Sequence, residues 1–460
     1  MTYPLSKKPN FNLKPNFLLY KLNKMKRIIA TIFILSNLNW AVKSHAQHEL
    51  ALHFLDTVWQ SSYTNPAYRL AGGRSSYMMP STSFNYKSPN APSQLTVVSE
   101  GKRTLNAKAA FNNLEPVSHL YTNLDIQTLG LTLGFKKFAL SFHNSIKGNA
   151  HLNVSKDLIG GFAFGNNKYL GKTMDLSVGL NAQLYSELGM SLAFKINDNI
   201  SFGLRAKRLS GIANISTVKQ KLTLLTDSVD YKLTFTSDFD VQTNGINDFK
   251  RFSDGTFNFR DVFMSQNSGL SFDVGTTVQL GKLRIDASVI DLMGAINWKK
   301  DAHSYSSAGS FEYSGQKSDK FLSFEGLNEK GVQDTLKETL NVKESTTGIN
   351  KTKLPLKTYL GATLDLTEKI KLGALVYTET WDGSTKLDFA INSTFKLTRA
   401  IQLGATYSMR YGSFDNLGLH FVLNVGPIQL YGVTDNIVAV FNSYNSKSMN
   451  GRMGLNFLFN

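Results

Sequence analysis

The sequence contains no cysteine. That excludes thiol catalysis, thiolate metal centres and disulfides, and it removes the residue on which a bacterial lipoprotein carries its lipid. No stretch approaches the roughly 18–20 uninterrupted apolar residues that a spanning helix needs. A helical membrane protein is therefore disfavoured, although 42% of the residues are hydrophobic. Charge is sparse, at 18% of residues, yet the net charge is +16. Residues 1–46 hold eight bases and no acid, and the other 42 bases are offset by 34 acids and scattered along the chain. With no basic patch or stripe, no nucleic-acid partner is expected.

Signatures of chemistry are missing too. Of the eight histidines, His48 and His53 stand five apart, a poor helical ligand pair, and no HExxH string occurs. Asp227 with Asp230, and Asp238 with Asp240, lack the spacing of a calcium loop. Gly72-Gly73 lacks the Lys-Ser/Thr context of a phosphate loop. His143 and His420 lie in strand-like segments, and nothing selects a catalytic triad around them. The expectation is a protein without cofactor or metal that is not an enzyme.

The N-terminus reads as an export signal. Met25-Lys26-Arg27 opens a basic region, Ile28–Leu35 is a short apolar core, and Ser44-His45-Ala46 supplies small residues for a peptidase. Cleavage is expected before Gln47, with residues 1–24 a non-native extension upstream of Met25. Residues 1–46 therefore stand outside the fold.

What the mature chain has in quantity is strict alternation. Leu188, Met190, Leu192, Phe194 and Ile196 share one face, opposite Glu187, Gly189, Ser191, Ala193 and Lys195. After Asn197-Asp198-Asn199, Ile200, Phe202, Leu204 and Ala206 repeat the pattern, which makes an antiparallel hairpin. Similar runs recur from Leu360 to the end, where Leu455, Phe457 and Phe459 share a face, although Asn460 displaces the aromatic from the last position. Strands of roughly 9–11 residues with one apolar face suit a tilted membrane strand, and the 35 glycines and 12% aromatics suit turns and interfacial girdles. A soluble β-sandwich would also alternate, but short turns trading with long polar excursions favour a membrane barrel.

The organisation expected is all-β: an antiparallel transmembrane β-barrel of about 14 strands (range roughly 12–16), with a short N-terminal helical plug segment and long extracellular loops. Residues 47–92 form the periplasmic or plug segment and 93–460 the barrel, with long loops near 237–267 and 299–353. Leu327–Glu344 carries weak helical periodicity. In the plug segment, Leu50, Phe54, Leu55 and Val58 have helical spacing and Pro66 stops the helix. Phe54, Trp59, Tyr63, Asn65 and Pro66 are the candidate ligand or plug residues.

Three strings carry a resemblance: QSSYTNPAY at Gln60–Tyr68, DLMGAINW at Asp291–Trp298, and GPIQLYGVTDNI at Gly426–Ile437 with the closing GRMGLNFLFN. Together they resemble a family of outer-membrane barrels of Bacteroidota, itself distantly similar to the FadL-like fatty-acid transporters. The resemblance implies one barrel with an N-terminal segment entering the lumen, and passage of hydrophobic molecules. Read on their own, Asn65-Pro66 fixes a turn, Asp291 caps a turn, Trp298 joins the girdle and Asp435-Asn436 turns a hairpin.

Two functions follow. One is passage or uptake of hydrophobic or other small molecules, which predicts an apolar pocket near Phe54, Trp59 and Tyr63; a lumen packed shut with charged pairs would count against it. The other is a non-transporting barrel serving as a structural partner or a partner of secretion or gliding machinery. Expected surroundings are outer-membrane lipids and lipopolysaccharide, the barrel-assembly machinery during biogenesis, and a hydrophobic ligand or an envelope protein.

Overall fold

The computed structural model describes residues 50–459 apart from 71–72, 100–101, 257, 314–339, 347–349, 382 and 411–412. The leader and most of the helix expected over Leu327–Glu344 lie outside the described residues; Lys343–Thr346 is a short strand.

Fourteen antiparallel strands close into one barrel. The first, β1, comes in two pieces, Ser75–Met78 and Ser81–Lys87. There follow β2 (Val117–Gly134), β3 (Phe138–Ser155), β4 (Val178–Lys195), β5 (Ile200–Thr226), β6 (Ser268–Leu280) and β7 (Leu283–Trp298). β8 is again split, Asn350–Lys353 and Leu356–Asp365. The circuit ends with β9 (Ile370–Trp381), β10 (Ser384–Lys396), β11 (Ile401–Arg410), β12 (Ser413–Val425), β13 (Ile428–Thr434) and β14 (Ser448–Phe459). β1 closes the ring, with Asn85 opposite both Asn450 of β14 and Asn123 of β2. The barrel thus starts at Ser75, earlier than the boundary at 93. Pro80 interrupts β1, leaving too short an alternating run in Ser81–Lys87 to stand out in the sequence.

The alternation is inside out. Leu188 and Met190 are 52% and 54% exposed, whereas Glu187, next to Leu188 on the same strand, is 1% exposed. Large apolar side chains face outward around the wall, among them Leu204, Leu360, Ile391, Leu403 and Leu417. Arg205, Lys207, Asp273, Asp286 and Asn392 face inward and are buried. A soluble sandwich would bury the first set and wet the second; a membrane barrel does the reverse.

One end has tight turns, such as Gly281-Lys282 between β6 and β7 and Gly426-Pro427 between β12 and β13. Gly281 and Gly426 hold φ of +63° and +58° there, which a Cβ would oppose. The opposite end carries the long excursions. Residues 237–267 hold the end of strand Leu233–Asn244 and helices Ile246–Ser253 and Phe259–Phe263. That strand pairs with the far half of β5 and with Ala302–Tyr313 from the second excursion, forming a ribbon that extends the wall. Tyr169, Met174, Leu224, Phe235 and Leu340 give the ribbon a small core of its own.

Candidate functional site

Residues 50–70 fill the lumen toward the tight-turn end. Two short 3-10 helices, Ala51–Phe54 and Trp59–Tyr63, are buried throughout. The segment is therefore helical in pieces, because its polar groups are pinned individually to the wall. Wall glycines make room for it: a Cβ at Gly203 would run into the Pro66 backbone, one at Gly275 into Asn65, and one at Gly373 into Phe54.

The five candidate residues all belong to this plug. Phe54 packs in a cluster with Leu50, Ile290, Tyr359, Leu375 and Tyr377. Trp59 stacks edge-on with Tyr63 at 5.3 Å, and its Nε1 donates to Ser141 Oγ at 3.2 Å. The Tyr63 hydroxyl lies 3.4 Å from Ser145 Oγ. Asn65 Nδ2 donates to the Thr276 carbonyl at 3.1 Å, while its Oδ1 accepts from the Ala67 N–H at 2.9 Å, a local turn that delivers Pro66 to the wall. The structure brings the five together as plug residues, and the main cavity is lined by others.

Charged groups lock the plug. Asp56 Oδ2 accepts from Arg284 Nη1 at 2.7 Å and from Lys371 Nζ at 2.8 Å. Burial pushes the Asp56 carboxyl up, but Arg284 and Lys371 outweigh it and hold it well below the usual carboxylate range. His53 Nε2 lies 2.7 Å from Asp286 Oδ1, and its Nδ1 lies 2.9 Å from Thr64 Oγ1. Arg205 donates to the Ser62 carbonyl and hydroxyl at 3.0 and 2.9 Å. The N–H groups of Leu50 and Ala51 donate to the Asp435 carboxylate at 2.9 and 2.8 Å. Gln60 and Asn456 exchange amide bonds of 2.9 and 3.0 Å.

Three of the roles expected from local sequence need correcting. Asp435 is a buried plug anchor that also accepts from Arg410 at 2.9 Å, and Asn436 caps helix Ile437–Phe441, so neither turns a hairpin. Trp298 is fully buried with Tyr185, Leu209, Ile296 and Leu354, away from any girdle; its Nε1 donates to Thr352 Oγ1. Asp291 does not cap a turn. It sits at φ +64° in a bulge of β7, and its carboxylate meets Lys207 at 2.5 Å and Lys357 at 2.9 Å. Those buried pairs offset the cost of a left-handed non-glycine residue. Over 291–294 the pairing of β7 with β8 lapses beside Pro355, with Leu354 N–H bridging to the Gly294 carbonyl at 2.8 Å.

Beyond the plug, toward the long-loop end, lies a cavity of about 1140 Å³. Its wall carries register-matched amides. Asn123 of β2 faces Asn149 of β3, which faces Gln183 of β4, which faces Asn214 of β5. Asn85 of β1 extends this row on one side. Asn450 and Asn244 continue it beyond the cavity at its two ends. One step farther from the plug, Tyr121 and His151 stack at 4.1 Å. One step nearer, Asp125 pairs with Arg452 at 2.9 Å and Lys147 with Glu187 at 2.9 Å. Trp381, Tyr185, Glu379, the segment 351–357 and the Asp291 bulge also line it. Sequence alternation marks each amide as belonging to the polar face, but only the strand register shows that they form one row.

Residues 73–435 match the profile of a family of unknown function, DUF5723. The chain belongs to this family. No curated protein matches this DUF5723 chain. The solved structures it is similar to include FadL-type barrels. One is a Pseudomonas aeruginosa FadL homologue, 10% identical, with 88% of this chain and 94% of that chain covered and a TM-score of 0.42. Another is the Pseudomonas putida toluene transporter TodX, 8% identical, covering 87% and 92% of the two chains at a TM-score of 0.41.

Proposed function

We propose that this DUF5723 barrel sits in the outer membrane, tight turns toward the periplasm, captures a small solute from outside and passes it inward when the plug yields. The observation that carries this reading is the roomy cavity that ends on the plug, within a wall whose outer face is apolar. A protein needed only as a wall element gains nothing from a chamber of that size. Amides and ion pairs share the chamber's lining with as much apolar surface, so the reading covers passage of small solutes, hydrophobic ones included. The test is entry of small solutes into vesicles carrying the protein, measured with and without a plug-loosening substitution. Solute entry that rises with plug loosening supports the reading, and vesicles as tight as protein-free controls in both cases refute it.

A second reading, a partner barrel of the cell envelope, draws on the charged lock around residues 50–67. Gentle extraction separates the two: a stable complex supports it, and a lone monomer counts against it.

A further inference from the structure

The row of amides invites a ligand class. Asn85, Asn123, Asn149, Gln183 and Asn214 stand on five successive strands and all line the cavity. Neighbouring strands lie about 4.8 Å apart, so the five side chains follow one another as an arc around the wall. A side-chain amide offers both an N–H donor and a carbonyl acceptor. The ligand group that answers both is a hydroxyl, which also donates and accepts. Within the wall Asn214 already donates to Asn244 at 3.2 Å and Gln183 accepts from Thr352 at 3.1 Å; a hydrocarbon returns no hydrogen bond to any further amide valence it strips of water, which costs affinity.

Charge points the same way. Four lysines, two aspartates and one glutamate line the cavity, and Lys357 with Asp291 is already paired. The near balance gives no strong field for an anion or a cation. Across the cavity from the amides, Trp381 of β9 adds an aromatic side chain to the lining, while Tyr121 is stacked on His151 and Tyr185 is packed against Trp298.

We infer that the cavity binds an uncharged polyhydroxylated solute of the oligosaccharide class. This rests on the reading of the barrel as a solute-capturing one, and it names the solute.

The experiment is calorimetric titration of the full chain in detergent with three neutral hexasaccharides, of glucose, N-acetylglucosamine and xylose, and with dodecanoate. At least one saccharide is expected to bind saturably at one site per barrel, and dodecanoate is not. The double variant N149L/Q183L, which touches no plug anchor, should weaken that saccharide roughly tenfold or more, while heat modifiability confirms that the barrel still folds. Saccharides that all fail to bind, dodecanoate binding in their place, or unchanged affinity in the double variant overturns the inference. Entry of the bound saccharide into vesicles is scored separately. Binding without entry, in the plug-loosened D56N form as well as in the parent, sinks the uptake reading and leaves the ligand class; entry of other solutes without saccharide binding sinks the class alone.

Discussion

Replacing Asp56 by Asn removes a plug carboxylate that meets two cations of the wall. Its oxygen stands 2.7 Å from Arg284 and 2.8 Å from Lys371. At an effective dielectric near 20, each contact is worth roughly 6 kcal/mol of attraction before desolvation. Desolvation cancels much of that, and removing one partner of a buried pair typically costs about 3–5 kcal/mol. The three side chains keep 14–18% exposure, which argues for the lower end. A loss of about 3 kcal/mol raises the population of the undocked plug roughly a hundredfold. Hydrogen exchange reads this directly, since amide exchange in residues 50–63 accelerates by the same factor when local opening governs it. The barrel strands serve as internal reference. Asp365→Asn is the matched control: its carboxylate lies 3.6 Å from Lys371 and is 46% exposed, so its loss costs less than about 1 kcal/mol. Plug exchange in D56N within threefold of the parent, or no faster than in D365N, would refute the electrostatic lock.

Three further outcomes are expected. Gly203→Val drives side-chain atoms into the Pro66 backbone, so exchange in residues 61–70 should rise while the outer surface is unchanged. Leu188→Arg puts a cation on the apolar outer face and should destabilise the barrel in vesicles by about 2–4 kcal/mol in denaturant titration if Leu188 lies near the bilayer midplane. Because the Asp56 carboxyl is held low, its contribution to docking is fully present above the ordinary carboxylate pKa, and it is lost only as pH falls through the depressed folded value; protection of the plug amides, taken relative to the intrinsic exchange rate at each pH, should therefore keep its Asp56 contribution from neutral pH to about pH 4, the ordinary Asp value.

The barrel is legible in the sequence because alternation reports a face at every second residue. Glu187 and Leu188 declare opposite sides with no knowledge of their neighbours. The N-terminal segment stands out for a different reason: Leu50, Phe54, Leu55 and Val58 have helical spacing that Pro66 ends, and two short 3-10 helices form there. What alternation cannot report is which face is wet, since lipid and protein core select the same apolar residues. Nor does it report register. Local sequence gives Asp291, Asp435 and Trp298 local roles, yet their real roles depend on groups far along the chain: Lys357 for Asp291, the Leu50 and Ala51 N–H groups for Asp435, and Thr352 for Trp298. The first excursion reads as loop for the same reason, because its strand, Leu233–Asn244, finds its partners in β5 and in Ala302–Tyr313.

The lock and the chamber constrain each other. A plug held by Asp56, Arg205, Asp286 and Asp435 opens rarely without help, so low free conductance is expected of this barrel and does not by itself count against solute passage. The lock also has a place where a ligand can act on it. Lys147, which lines the chamber, pairs with Glu187, and Glu187 lies 3.1 Å from His143. His143 packs against both Trp59 and Tyr63 of the plug, at ring separations of 5.8 and 5.3 Å. A solute that draws Lys147 toward the amide row would loosen Glu187 and, through His143, the aromatic half of the plug. The coupling is measurable by double-mutant cycle. Because Lys147 also lies over the Tyr63 ring at 5.7 Å, the cycle is run on Trp59: if Lys147→Met and Trp59→Phe change plug exchange independently, with additive effects, the chamber does not speak to the plug along this route, and a coupling of more than about 0.5 kcal/mol means that it does.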